Sequence, residues 1–524
     1  MASRFLVPDR EQTFLEAVSY REVLGDDHPV WTVIDVVDGL DLSVIYGRYV
    51  ADMSVGGRRA FDPAMLLALL VFGYCEGKRS SRQLEEACRR DWAYRAICGE
   101  ITPDHATIAR FRAGLDDVLG SLFAQVLTVC SAAGLVEVGL VALDGTRMGA
   151  AASKEANKTA ATLERLEAEA RVMLDEAAAA DDADGDGDGG LRVSSKTRRV
   201  TERMRRAERL REAQQVVADA VTRQGAEEKK RGRPIRPVGN VTDPESRLQK
   251  TRNGFIQGYN AQTVVSADQV VVACEVTPQQ TDVGLLEPML HAAAANVEAT
   301  GVTDPIGVAV ADAGYWSQAN AEAGGALGVE LLIATGKSHR VGIPADDEID
   351  DETTVQDRER LETVTRIDAA EISIADGARR LGLSHSYVSR LVARYRHHGS
   401  LVSGATVARR EMEHKLAQRA NRDLYRRRGW LVEGSFAHVK THRNSARFSR
   451  RGLTACSAEW TLINLAGNLL KLHRRPSTAP GSGSEPASKP GFGIQQSRNT
   501  PHSQQRSRPE ATPHRNRPTQ HCGR

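Results

Sequence analysis

Cysteine and long apolar runs are both scarce in this 524-residue chain, and each shortage excludes something. The seven cysteines, at 75, 88, 98, 130, 274, 456 and 522, are odd in number, scattered and never spaced Cys-x-x-Cys. That pattern argues against a disulfide framework or a zinc knuckle and predicts a reduced, cytoplasmic protein. The longest apolar stretch, Ala64 to Cys75, has twelve residues; a membrane helix needs roughly 18–20. The first ten residues contain no apolar segment of the kind that directs secretion, so no leader and no membrane partner are expected.

Net charge is also small, +2, but it conceals an asymmetry. Residues 474–524 hold nine Lys/Arg against two Glu, a local +7 that leaves −5 for the remainder. Bulk charge therefore identifies no polyanionic partner. Between Arg410 and Arg451, however, twelve Lys/Arg stand against four Asp/Glu in a helical pattern. A basic folded stretch of that kind fits nucleic-acid contact, the alternative being a solvated face.

With 41% hydrophobic and 26% charged residues, most of the chain is expected to be globular, in two or three domains. Residues 1–135 read as an all-α N-terminal domain, with helices over Val30–Leu42, Pro63–Tyr74, Ser81–Cys98 and Thr107–Ala132. The second half of that series is one of two candidate helix-turn-helix pairs. From Val136 the texture changes to short apolar strands: one ending at Asp144, a hairpin over Phe255–Ser266 and Gln269–Val276, one ending at Asp312, and Val329–Ala334. Helices at Val283–Val297 and Ser317–Ala323 alternate with them, so residues 136–473 are predicted to form an α/β layer.

Two helical insertions interrupt that layer. The first, 154–239, is a charged hairpin broken by an aspartate-glycine run whose Asp184-x-Asp186-x-Asp188 spacing imitates a calcium loop. Ser195 falls where such a loop needs glutamate, so the run is read as a linker. Residues Glu227–Gly239 are expected to form an extended basic arm. The second insertion, 337–410, carries Ser373-Ile-Ala-Asp-Gly-Ala-Arg-Arg-Leu-Gly-Leu-Ser384, followed by a helix with Val388, Leu391, Val392 and Tyr395 on one face. This is the clearer helix-turn-helix, with five arginines and no acid between Gly377 and His398; Arg390 and Arg394 are its candidate DNA contacts. Residues 474–524, rich in Pro, Ser, Gly, Gln and Arg, read as a disordered basic tail.

Chemistry is expected where strands end, because side chains converge on a ligand at the carboxyl edge of an α/β sheet. Asp144 and Asp312 stand at two such ends, and a third acid, Glu433, lies in a basic helix over Leu424–Lys440. Glu433 and Lys440, at i and i+7, are predicted to share a face. Carboxylates without His or Cys suit Mg²⁺ or Mn²⁺, and two such ions about 4 Å apart serve phosphodiester chemistry.

A set of strings, in order, resembles one family: Asp26-Asp-His-Pro-Val-Trp, Arg79-Ser-Ser-Arg, Pro103-Asp-His-Ala-Thr-Ile-Ala-Arg-Phe-Arg, Leu143-Asp-Gly-Thr, Gly258-Tyr-Asn-Ala-Gln, Ala311-Asp-Ala-Gly-Tyr-Trp-Ser and Val432-Glu-Gly-Ser-Phe-Ala-His-Val-Lys. They are similar to the bacterial insertion-sequence DDE transposases of the IS-five and IS-eleven-eighty-two kind, over about residues 15 to 473. Gly434 departs from the proline that usually follows the glutamate, and Ala151 from a frequent asparagine.

The resemblance implies a ribonuclease-H-like mixed-sheet core in which Asp144, Asp312 and Glu433 are the catalytic, metal-binding triad for two Mg²⁺ or Mn²⁺ ions. It places Tyr425, Lys440 and Arg443 in a DNA-contacting signature. It further implies a nucleoid-associated, cytoplasmic enzyme acting on double-stranded DNA, at terminal inverted repeats and a target, as a homodimer or higher oligomer. The alternatives are a plain metal-dependent nuclease and a non-catalytic DNA-binding regulator. On this reading a fragment ending at Ala133 is expected to select the terminal repeat by itself.

Overall fold

The computed structural model describes residues 19–50, 60–99, 101–183, 195–231, 237–336, 351–398 and 404–475. The expected tail falls outside them from residue 476 onward, as does the aspartate-glycine run from 184 to 194.

Eight strands are present among the described residues: β1 (Leu140–Gly149), β2 (Asn157–Lys158), β3 (Gly239–Asn240), β4 (Arg247–Thr251), β5 (Gly254–Ser266), β6 (Val271–Thr277), β7 (Val308–Ala311) and β8 (Glu330–Ile333). Six of them form one mixed sheet. The long β5 pairs antiparallel with β1 on one edge; its other edge takes β4 along its first residues and β6 along its last. On the far side of β1, β7 and β8 follow in parallel. The Val-Ala-Val-Ala of β7 and the Leu-Leu-Ile of β8 are the unbroken apolar runs of strands covered on both faces. The predicted hairpin forms, with Gln269 at φ +63° closing the turn between β5 and β6.

Helices cover this sheet. Pro63–Cys75 is apolar on every side and buried nearly throughout, as a helix inside a core must be. It packs on Leu453–Arg474, which also packs on Leu119–Ala132 and on β6. Val30, Leu69, Tyr94 and Phe123 therefore belong to the same continuous core as Val141, Val310 and Trp460. Polar clasps reinforce the junction: Arg79 donates to Glu459 at 2.7 Å and to the Arg447 carbonyl at 2.8 Å, and Glu459, fully buried, accepts from the Ser449 and Arg450 amides.

Two helical units carry cores of their own. Ala160–Ala183 and Ser195–Arg231 pack through Leu163, Leu210, Ala213 and Val217, and the β2–β3 ladder closes their base. Asp351–Asp368, Ile374–Leu381 and His385–His398 pack through Val364, Ile367, Val388 and Val392.

Several expectations change in detail. Ser81–Cys98 is two helices, because Asp91 ends the first and then accepts from the Ala93 amide to cap the second. That helix, Trp92–Cys98, stands between Ser81–Arg90 and His105–Ala113, so the N-terminal pair lacks the short turn of a helix-turn-helix. Thr107–Ala132 is likewise divided, at Gly114. Residues 227–231, expected to be extended, continue the Ser195–Arg231 helix. No described helix is long and apolar enough to cross a membrane.

Candidate active site

Register places the two aspartates together. In the parallel pairing of β1 with β7, Leu143 stands opposite Ala311, so Asp144 and Asp312 follow side by side at the point where the pairing ends. β1 continues beyond that point on β5, where Asp144 faces Thr263. Asp312 turns away from β7 and caps the short turn Ala313–Tyr315, accepting from the Gly314 amide at 2.8 Å.

Asp144 is mostly enclosed, its side chain 17% exposed. Burial pushes its carboxyl up to about 6; Arg428 opposes that shift and Asp312 adds to it. Two carboxylates so placed repel unless a cation joins them. Here the cation beside Asp144 is the Arg428 guanidinium, at 2.9 Å.

An acid that the sequence did not mark, Asp282, lies beside Asp312. The Cβ that Gly314 lacks would stand 2.9 Å from Asp312 Oδ1 and 3.1 Å from Asp282 Oδ2, so the two carboxylates flank one small gap. Asp282 accepts from both ends of the Arg147 guanidinium at 3.2 Å, from Asn260 Nδ2 at 2.6 Å and from Gln262 Nε2 at 2.9 Å. Tyr315, buried, donates its hydroxyl to Gln262 Oε1 and so ties the turn after Asp312 to β5. Asn260 and Gln262 lie within the Gly258-Tyr-Asn-Ala-Gln string; Asp282, in a loop after β6, and Arg428 had no periodic signal to mark them.

Glu433 lies at the end of the turn Gly429–Glu433, which packs on β1 and β5. Within the expected helix Leu424–Lys440, the α-helix Arg419–Arg428 ends at Arg428, and Gly429–Glu433 and His438–His442 are π-type turns around one α-turn. A widened turn changes the rotation per residue, so i and i+7 no longer share a face. Glu433 is exposed, whereas Lys440 reaches back to β1, donating to Thr146 Oγ1 at 2.6 Å and the Arg147 carbonyl at 3.1 Å. Among the described residues no three His, Cys, Asp or Glu side chains are gathered as a metal site.

The remaining expected residues are dispersed. Tyr425 is half-buried beside Arg428. Arg443 is 4% exposed and donates to the Ile463 carbonyl at 2.6 Å, so it faces Leu453–Arg474 instead of solvent. Arg390 is exposed, its guanidinium 5.9 Å from the Tyr387 ring. Arg394 lies in the His385–His398 helix, but its side chain is outside the described residues.

Comparison with known proteins finds two family matches. Residues 18–114 match the family described as Transposase domain (DUF772), and residues 393–473 match the family described as Transposase DDE domain. The second match contains Glu433 and Lys440; Asp144 and Asp312 fall between the two. Neither a curated protein nor a solved structure matches the chain.

Proposed function

We propose that the chain, which matches a transposase domain near its start and a transposase DDE domain near its end, is an insertion-sequence DDE transposase that cleaves phosphodiester bonds at terminal inverted repeats and transfers the freed 3′-hydroxyl ends to target DNA. The observation that carries this reading is the juxtaposition of Asp144 and Asp312 at the end of the β1–β7 pairing. The strand order supports the ribonuclease-H-like expectation: an antiparallel group, β6 and β4 beside β5 and β5 beside β1, then two parallel strands.

Tested against the donors present, a divalent cation suits the aspartate pair but not yet the triad. Two hard oxygen donors converge there, and the Arg428 guanidinium already occupies a cation's place on Asp144. Asp144 and Asp312 would hold the metal, and when bound it would polarise a phosphoryl oxygen and lower the pKa of an attacking water or hydroxyl. The chain's own groups do the rest. Arg428 neutralises Asp144 until a substrate phosphate competes for it; Lys440 fixes the β1 segment that follows Asp144; Asp282 and Gln262 hold the Asp312 turn at a set distance. Glu433 joins the pair if the Gly429–His442 stretch rewinds on DNA, and π-type turns commonly mark such working segments.

Strand cleavage of DNA carrying the sequences that flank the gene tests this. Asp144→Asn and Asp312→Asn should each abolish Mg²⁺-dependent cleavage while DNA binding persists; retained cleavage in either removes that residue from the site. The exposed position of Glu433 favours a second reading, the non-catalytic DNA-binding regulator. Wild-type protein that binds the flanking DNA but never cleaves it selects that reading, and cleavage without joining to a second DNA selects the plain nuclease.

A further inference from the structure

Away from the aspartate pair, a cavity of about 600 Å³ lies between the end of the Pro63–Cys75 helix, the His438–His442 turn and the last residues of Leu453–Arg474. A smaller one of about 140 Å³ shares His438, Arg443 and Arg474 with it and adds Lys471. The walls supplied by the His438–His442 turn and by Leu453–Arg474 are cationic or imidazole-bearing: His438, His442, Arg443, Lys471 and Arg474. The carboxylate on the wall of the larger cavity, Glu76, is engaged by Lys78 Nζ at 2.8 Å and by the Tyr94 hydroxyl at 3.2 Å.

Arg443 is the telling member. It is 4% exposed, forms no ion pair among the described residues, and leaves its Nε, also buried, without a hydrogen-bond partner. One Nη donates to Ile463; the other lies over Gly467, where an added Cβ would stand 3.2 Å from it. A buried cation without a counter-ion is costly, and a charge-assisted hydrogen bond from an anion would offset that cost. The neighbourhood shows the same strain: burial, with help from Arg474, brings the Arg443 guanidinium down to about 10, and burial with Arg443, Arg474, His442 and Lys471 holds His438 at about 4.

We propose that this cavity is an anion site that takes the phosphate of a phosphate ester, with Arg443 as its floor and Arg474, Lys471, His438 and His442 as its wall. A planar guanidinium with a free N–H suits a phosphate's paired oxygens, and the volume leaves room for the group esterified to it. The ester is a nucleotide unit, either a DNA backbone phosphate or a free mononucleotide. The anion site rests on the charge of its lining and the burial of Arg443; that the ester is a nucleotide rests on the strand-cleavage reading.

Titration calorimetry of the full-length protein in EDTA, with inorganic phosphate and with deoxycytidine 5′-monophosphate at constant ionic strength, tests it without requiring any reaction. Saturable binding of at least one probe is expected, weakened at least tenfold in Arg474→Glu/Lys471→Glu. Those two side chains are partly exposed, so the variant should stay folded, which circular dichroism checks. Arg443→Lys, which keeps the charge but loses the fork, should weaken binding in an intact fold as well. A short DNA duplex separates the sources. Phosphate displacing the duplex, with a parallel loss in the double variant, assigns the site to backbone phosphate. Nucleotide binding with unchanged duplex affinity in the variant assigns it to the free ester. No saturable binding of either probe, or equal binding in wild type and both variants, overturns the proposal.

Discussion

Two helical regions of this molecule look alike in sequence and differ in how they are held. The described helices between Ser19 and Ala132, the wholly apolar Pro63–Cys75 aside, and those of residues 351–398 include amphipathic helices capped by serine or aspartate and ending in arginines. The first shares its core with the sheet through Leu453–Arg474; the second closes a core of its own around Val364, Ile367 and Val388. Amphipathicity thus says that a helix has a buried side and leaves open what buries it. A region read as an independent DNA-binding domain is, in the structure, part of the wall of the core, with its Arg79 and Arg112 side chains turned inward on backbone carbonyls.

The largest expected effect comes from cutting that wall away. A fragment ending at Ala133 loses Leu453–Arg474 and exposes Leu69, Leu70 and Phe72, all 1% exposed or less in the full chain. It should show no cooperative thermal transition, so the repeat-selecting fragment expected from sequence should not fold. Replacing 351–398 by a short Gly-Ser linker should leave a cooperative transition within a few degrees of wild type. A folded 1–133 fragment would break the comparison.

Next in size is a contrast of ion pairs. Arg79→Ala strands the fully buried Glu459 and should cost about 3–5 kcal/mol in denaturant unfolding. Arg396→Ala removes the exposed partner of Asp368 and should cost no more than about 1 kcal/mol. Similar losses for both would mean that the two regions are held alike.

The smallest effect is a pH slope. His438, held down to about 4 by burial and the surrounding cations, is neutral in the folded protein where the unfolded chain, with an ordinary value near 6.5, takes a proton. The unfolded state then binds more protons between about 4 and 6.5, so stability should fall as pH drops through that window. His438→Asn should flatten this slope, and saturating phosphate should flatten it too by raising the histidine's value. An unchanged slope in His438→Asn would show that other groups set it.

Much of the fold was legible because its signals are local. The apolar runs of β1, β5, β6, β7 and β8, and Asp312 following β7, follow from alternation and strand length alone, whereas β1 continues on β5 to Gly149 past the strand end expected at Asp144. The inserted helix pair was legible for the same reason, since Ser373, Gly382 and Ser384 mark its boundaries within a dozen residues. The family resemblance, not periodicity, placed Glu433 with the two aspartates in expectation.

Tertiary structure decided the rest. Only the β1–β7 register sets Asp144 beside Asp312, because register depends on pairing between strands more than 150 residues apart in the chain. Only the folded chain shows the widened turns on either side of Gly434–Ala437 and Lys440 packed onto Thr146, a rotation no spacing rule contains. Asp282 became a neighbour of Asp312 because the loop after β6 folds back over β5, and Arg443 turned inward because Gly467 left it room. Periodicity is a property of consecutive residues, and a site is made by residues that only the closed core brings together.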